Sequence, residues 1–373
     1  MNKILLSSPH MSDEGYEKEY VKEAFDTNWI APLGANVDNF EIEIAKKVGS
    51  NYSAALVSGT SAIHLALKAA GIKKADKVFC SSLTFSATVN PILYEGAEPI
   101  FIDSENETWN MDPKALKKAF EKYPDVKIVI VVHLYGQPAK MDEILNICNE
   151  YNAILIEDAA ESLGSTYKGR HTGTFGKYGI YSFNGNKIIT TSGGGMVVST
   201  DEEKIKKIRF WSTQSKEKEP YYEHKEIGYN YRMSNISAGI GRGQLKILDE
   251  RISKKRMIYE AYKEGFKNLE EIKIPLDPVD NHSNHWLSVM LLNENIKISV
   301  NDLISKLNSN NIEARYVWKP MHIQPVFKKF DIISVTDKII SEDLFKRGIC
   351  LPSDTKMTSE EQKKVIDIIK SFL

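Results

Sequence analysis

From Ala54 onward, short apolar runs alternate with stretches of helical periodicity. AALVSG (54–59) reads as a strand entering a helix over TSAIHLALKAAG. KVFCSS (77–82) precedes FSATVNPILYEG, and EPIFID (98–103) precedes PKALKKAFEKY. KIVIVVHLYG (127–136) precedes KMDEILNICNEYN, and AILIED (153–158) precedes AAESLGS. In IVIVV (128–132) every position is apolar, not every second one. Such a strand has to be covered on both faces, so the pattern predicts a mostly parallel sheet with helices on either side. Ligands of these sheets bind at the carboxyl ends of the strands.

After GGGMVVST (193–200) the rhythm changes. A long charged helical pattern, LKILDERISKKRMIYEAYKEGFKN (245–268), reads as a connector. Then come a strand at WLSVMLL (286–292), a helix at VNDLISKLNSNNI (300–312), a strand at ARYVW (314–318) and a terminal helix at SEEQKKVIDIIKSFL. The expectation is an α/β chain of two domains, a large one over 1–250 and a smaller C-terminal one over 251–373. Ahead of the alternating region, a helix is expected over 14–26 and an ordered loop at NWIAPLG (28–34).

Length agrees with two domains, because 373 residues exceed one ordinary core. A hydrophobic share of 42% and a charged share of 27% are those of a globular protein. The net charge of −1 points to neither nucleic acid nor a basic partner. Cys80, Cys148 and Cys350 are too far apart for a metal pair or a disulfide framework, which suits a reducing compartment. The start, MNKILLSSPHM, has too short an apolar run for a signal peptide, and no run is long enough for a membrane span. A soluble, cytoplasmic protein is expected.

Several chemistries lack their motifs. GxxxxGK[ST] fails because His171 stands where the first glycine should and a tyrosine follows Lys177. GxGxxG and HExxH are absent, and the spacing of His282 and His285 reads as accidental, so no metal is expected. Four other features fall on one sheet edge. Ser58-Gly59-Thr60-Ser61 joins a strand to a helix, which fits an anion cradle or a plain cap. Asp158 ends a strand, which fits a helix cap or a partner for a cationic ring. Phe85 fits core packing or stacking on a flat ring. Lys187 lies in SFNGNKIITTSGGGM, between Ser182, Asn184 and a glycine triplet, which fits a surface turn or a bond-forming amine. Together they match the phosphate, ring nitrogen, ring face and aldehyde of pyridoxal phosphate.

At these residues the chain resembles the DegT/StrS sugar aminotransferases, pyridoxal phosphate (PLP) enzymes of the aspartate-aminotransferase-like fold, type I. The resemblance covers nearly the whole chain. It rests on NWIAPLG, SGTSAIHLAL, SSLTFSATVNPI, VHLYGQPAKMDEI, IEDAAESLGS, YSFNGNKIITTSGGGM, GYNYRMSN and ICLPS. It implies that Lys187 bonds the cofactor aldehyde and Asp158 pairs with the ring nitrogen. It implies further that Gly59, Thr60, Ser61 and Ser182 hold the phosphate, that Phe85 stacks on the ring, and that Asn184 and Glu161 lie nearby. Asn230 would reach the phosphate of a neighbouring subunit, which implies a homodimer. Asn28, Trp29, Ile30 and Ala31 would contact the sugar nucleotide, with Arg315, Trp318, Lys319 and His322 also near substrate.

The implied reaction is amination of UDP-2-acetamido-2,6-dideoxy-4-keto-hexose with L-glutamate as donor, both substrates using one site in turn. The rivals are a dTDP-3-keto-sugar aminotransferase, a PLP-dependent sugar dehydratase and a non-catalytic sensor. Lys187 weighs against the dehydratase, whose relatives carry histidine there. Three departures from the family pattern stand out: Tyr316-Val317 in place of proline-leucine, His285 in place of arginine, and Asp354 in place of glycine.

Overall fold

The computed structural model describes residues 3–373; Met1 and Asn2, where the signal-peptide reading starts, lie outside the described residues. One eight-stranded sheet dominates. Its order is Tyr52–Leu56, Gly195–Ser199, Tyr178–Ser182, Ile154–Asp158, Ile128–Val132, Lys77–Ser81, Glu98–Ile102 and Ile332–Ile333. From Tyr178–Ser182 to the Ile332–Ile333 edge the pairs are parallel. Gly195–Ser199 runs against both of its neighbours. Tyr52–Leu56 therefore points the same way as the parallel strands, and Leu56, Ser81, Val132, Asp158 and Ser182 all end at one rim.

Both faces are covered, as runs like IVIVV require. Ile128 and Ile130 pack with Leu65 of the helix Gly59–Ala69 on one face. Val129 and Val131 pack with Leu116 and Phe120 of the helix Pro113–Lys122 on the other. A second sheet is antiparallel, in the order Ile272–Lys273, Ser288–Leu292, Gly348–Leu351 and Arg315–Tyr316. Its core is closed by the helices Leu248–Phe266, Val300–Ser309 and Ser359–Phe372.

Three sequence expectations need correction. AAESLGS forms turns, not a helix: Ser162 N–H reaches Ala159 O at 3.0 Å, and Ser165 N–H reaches Ser162 O at 2.8 Å. Asn284 holds this segment by donating to Glu161 O and Leu163 O, so its carbonyls need no helix. FSATVNPILYEG splits into a short turn, Ser86–Thr88, and a short helix, Asn90–Tyr94, with Pro91 at the junction. The connector is two helices, Asn235–Lys246 and Leu248–Phe266, meeting at Ile247. No helix among the described residues is long and apolar enough to cross a membrane.

Candidate active site

At the rim, the segments that follow the strand ends enclose a cavity of about 540 Å³. Gly59 and Thr60 line it from one strand end, Thr84 and Phe85 from another, and Asp158 and Glu161 from a third. Ser182, Asn184 and Lys187 come from a fourth. Arg315, Tyr316 and Trp318 close it from the second sheet, and Leu6 from the N-terminal segment. Phe85 is 58% exposed, so packing does not account for it. Its ring stands at the cavity wall, 5.5 Å from that of Trp318.

Strand alternation separates two adjacent carboxylates. Asp158 faces the cavity and Glu157 faces away. Glu157 is fully buried and engaged by the N–H groups of Gly173 (2.7 Å) and Gly176 (2.6 Å) and by His133 Nε2 (2.9 Å). His133 Nδ1 accepts from Ala139 N–H at 3.1 Å, which places the ring proton on Nε2, facing Glu157. Asp158 is held more loosely. Thr88 Oγ1 donates to its Oδ2 at 2.6 Å, and Ala160 N–H donates to its Oδ1 at 3.2 Å. Thr84 Oγ1 lies 2.7 Å from Thr88 Oγ1 and donates to it, because the Thr88 proton is committed. A carboxylate oxygen accepts about two hydrogen bonds, so Asp158 keeps lone pairs for a ligand.

Lys187 Nζ has two close partners. Glu161 Oε1 is 3.4 Å away, and the Trp286 ring centroid is 4.1 Å away. Glu161 Oε2 accepts Tyr135 N–H at 2.6 Å, which fixes the carboxylate. Burial pushes the Glu161 carboxyl up to about 7, against the pull of the Lys187 amine and the Tyr135 N–H, while Asp158 adds to the rise. The group can thus hold or release a proton near neutrality.

This has a measurable consequence for stability. With a folded value raised from 4.5 to about 7, Glu161 favours the fold below 4.5 and loses that contribution as pH climbs towards 7. Glu161→Gln removes the burden of the ionised form. In urea unfolding, the variant is expected to be more stable than the natural protein by up to about 3 kcal/mol at pH 8, with the gap closing at pH 4.5. A gap that is the same at both pH values would show that Glu161 does not titrate there.

The anion end is built at the helix Gly59–Ala69. Ser58 caps it, with a reciprocal Ser58–Ser61 box. That box occupies Ser61, whose hydroxyl donates to Ser58 O at 2.7 Å, so Ser61 does not line the cavity as expected. The N–H groups of Gly59 and Thr60 have no partner within the helix. A Cβ on Gly59 would lie 3.2 Å from Ser182 Cβ, so only glycine leaves room there for an anion beside the Ser182 hydroxyl. PLP needs a phosphate cradle, a ring partner, a stacking face and an amine. Gly59 with Thr60 and Ser182, then Asp158, Phe85 and Lys187 offer these in one cavity, and the residues fit the group.

Other expected site residues lie elsewhere. Asn28 to Ala31 do not line the cavity; Asn235 ties them down, its Nδ2 donating to Trp29 O at 3.0 Å and its N–H to Ala31 O at 2.8 Å. Trp29 and Ile30 are about half exposed. Asn230 lies in a separate open groove with Gln214 and His224. His322 is buried and engaged by Ser82 Oγ at 2.6 Å and Glu342 at 3.2 Å, so it braces two segments instead of facing the cavity. Lys319 does not line it either. Sequence reasoning missed Tyr135, Thr88 and Trp286. Only Thr88 carried a signal, as a hydroxyl three residues beyond Phe85.

The departures acquire roles. Asp354 accepts Ser8 N–H at 2.8 Å and contacts His10 Nε2 at 2.6 Å, anchoring the N-terminal segment beside the cavity. His285 lies flat on Tyr259 at 3.6 Å, and its Nε2 is 3.2 Å from Asp277. Val317 is fully buried, while Tyr316 turns to the cavity.

Comparison with known proteins gives the family of the chain. The model of the DegT/DnrJ/EryC1/StrS aminotransferase family matches residues 12–370. The protein EpsN of Bacillus subtilis (strain 168) is 52% identical over 98% of this chain and 95% of its own length. A GDP-perosamine synthase of Escherichia coli O157:H7 is 38% identical over 96% of each chain. Among solved structures, a DegT/DnrJ/EryC1/StrS aminotransferase from Brucella abortus superposes with a TM-score of 0.88 at 27% identity, covering 96% of this chain and 95% of that one.

Proposed function

Because the chain belongs to the DegT/DnrJ/EryC1/StrS aminotransferase family, and so is a PLP-dependent sugar aminotransferase, we propose that it aminates a nucleotide-linked keto sugar at Lys187. The sugar is UDP-2-acetamido-2,6-dideoxy-4-keto-hexose, aminated at C4, with L-glutamate as donor. The observation that carries the site is the convergence of Lys187, Asp158 and the Gly59–Thr60 cradle in one cavity. PLP supplies an aldehyde that bonds an amine and a ring that accepts electrons.

The remaining chemistry belongs to the chain. Gly59 and Thr60 N–H and the Ser182 hydroxyl bind the phosphate, helped by the helix dipole. Asp158 would pair with the ring nitrogen, where a carboxylate favours the protonated ring. Phe85 covers one ring face. The Lys187 amine moves a proton at the donor's α-carbon, for which it must be neutral. Glu161 Oε1, the nearest carboxylate oxygen, takes the ammonium proton: one N–H bond breaks, one O–H bond forms, and a neutral amine remains. Arg315, Tyr316 and Trp318 stand where a sugar nucleotide would enter. Asn230 and the Asn28–Ala31 loop, outside this cavity, serve a second copy's site in a homodimer.

The resemblance of the eight quoted stretches, taken together, to the UDP-sugar branch supports uridine as the nucleotide. The relative named as a GDP-perosamine synthase favours a second reading, a GDP-linked substrate. Incubation with glutamate and a panel of UDP-, GDP- and dTDP-linked keto sugars, read by mass spectrometry, separates them. The expected result is a new amine on the UDP-linked 4-keto sugar. Amination of the GDP sugar alone would establish the second reading, and amination of none would remove both.

A further inference from the structure

Lys255, on the helix Leu248–Phe266, is 2% exposed and faces no acid directly. Its Nζ donates to Ser353 O at 2.6 Å, Trp286 O at 2.9 Å and Ser7 Oγ at 3.2 Å. Three acceptors match the three protons of an ammonium group. Burial pulls the amine down to about 7, with the Asp354 carboxylate opposing and the Arg251 guanidinium adding. A fully buried amine with that burden calls for an explanation, because buried lysines are rare unless paired.

Two of its three acceptors lead to the same atom. Trp286 Nε1 donates to Asn186 O at 2.6 Å, and Ser7 Oγ donates to Asn186 O at 3.1 Å. That carbonyl belongs to the peptide bond immediately before Lys187. The Trp286 ring also lies against Lys187 Nζ at 4.1 Å. We propose that Lys255 is a positioning residue for Lys187: its amine holds the two residues that grip the Asn186 carbonyl, and so fixes where the Lys187 amine points. The third acceptor, Ser353, ties the same knot to the second sheet, since its hydroxyl accepts Ser288 N–H at 2.8 Å. The N-terminal segment, the second sheet and the Lys187 turn are thus joined at one nitrogen.

The proposal rests on Lys187 as the cofactor-bonding residue, and the test separates the two claims. Lys255→Met keeps length and removes all three donors. In the PLP-loaded protein the visible absorbance per chain is expected to persist. The visible circular dichroism per unit absorbance should fall at least about twofold, and kcat at least about tenfold, because small misplacement of a reacting group is costly. KM for glutamate should move by less than about threefold. A merely structural lysine would lower the melting temperature and leave the dichroism ratio and the kcat of the loaded protein unchanged, and that outcome overturns the proposal. If Lys255→Met fails to fold, Ser7→Ala decides. It cuts one of the two routes, and the same two readouts should fall by about two- to fivefold; no change overturns the proposal. Should Lys187→Ala keep the visible band, the error lies in the assignment of Lys187 and not in the network.

Discussion

Lys187→Ala is expected to abolish amine transfer, with a fall in turnover of at least about 10⁴-fold, since nucleophile and proton carrier are lost together. The visible absorption of covalently held cofactor should vanish with it. The prediction follows from the surroundings of the amine. Among the described residues that line the cavity, Lys187 is the one lysine, and its Nζ is held between the Glu161 carboxylate and the Trp286 ring. No second lysine stands ready to replace it: Lys255 is committed to Trp286, Ser353 and Ser7 on the far side of the same turn. The fold should survive, because Lys187 contributes no core packing beyond a ring contact, and the buried Glu161 left without the amine can keep its proton. Borohydride reduction of the loaded natural protein, followed by peptide mapping, should mark position 187. A mark elsewhere would break the assignment.

Much of this was legible in the chain because the large sheet is made of uninterrupted apolar runs. Lys77–Ser81, Glu98–Ile102, Ile128–Val132 and Ile154–Asp158 each had a run of their own, ending at the rim where the chemistry collects, whereas Tyr178–Ser182 and the two-residue edge Ile332–Ile333 had none. Strand ends are what local pattern reads best, and Asp158, Ser182 and Gly59 lie at or just beyond them. What local pattern could not read depends on distant partners. Asn235–Lys246 carries Gly239, Gly241 and Gly243, an unfavourable composition for a helix. Tertiary packing reverses that: a Cβ on Gly243 would lie 2.5 Å from Glu17 N, so glycine there lets this helix press on Tyr16–Asp26. AAESLGS failed in the opposite sense, as a helix-like string whose carbonyls Asn284 claims from more than a hundred residues away. Tyr135 and Trp286 were invisible for the same reason. One meets the site through a backbone N–H and the other through an indole from the segment that leads into Ser288–Leu292, and neither signal has a sequence form.

The legible and illegible parts meet at Asp158, where the second large effect is expected. Asp158→Asn keeps shape and removes charge. Ala160 N–H needs an acceptor, so the amide oxygen must face it and the amide nitrogen must face Thr88. The Thr88 hydroxyl then has to accept where it now donates, and its proton must turn towards Thr84, reversing the chain between the two hydroxyls. The larger loss is electrostatic. A hydrogen bond to a charged partner contributes about 1.5–3 kcal/mol, so turnover should fall by about 10- to 150-fold or more. Single-turnover measurements with glutamate, before any sugar is added, isolate the half-reaction in which the ring must accept electrons. Thr88→Val is the control, because it removes one hydrogen bond and leaves the carboxylate charged; its loss should stay below about tenfold. If Asp158→Asn turned over within threefold of the natural protein, or fell no further than Thr88→Val, charge at this strand end would not drive the chemistry, and the cavity would need another acid opposite the ring.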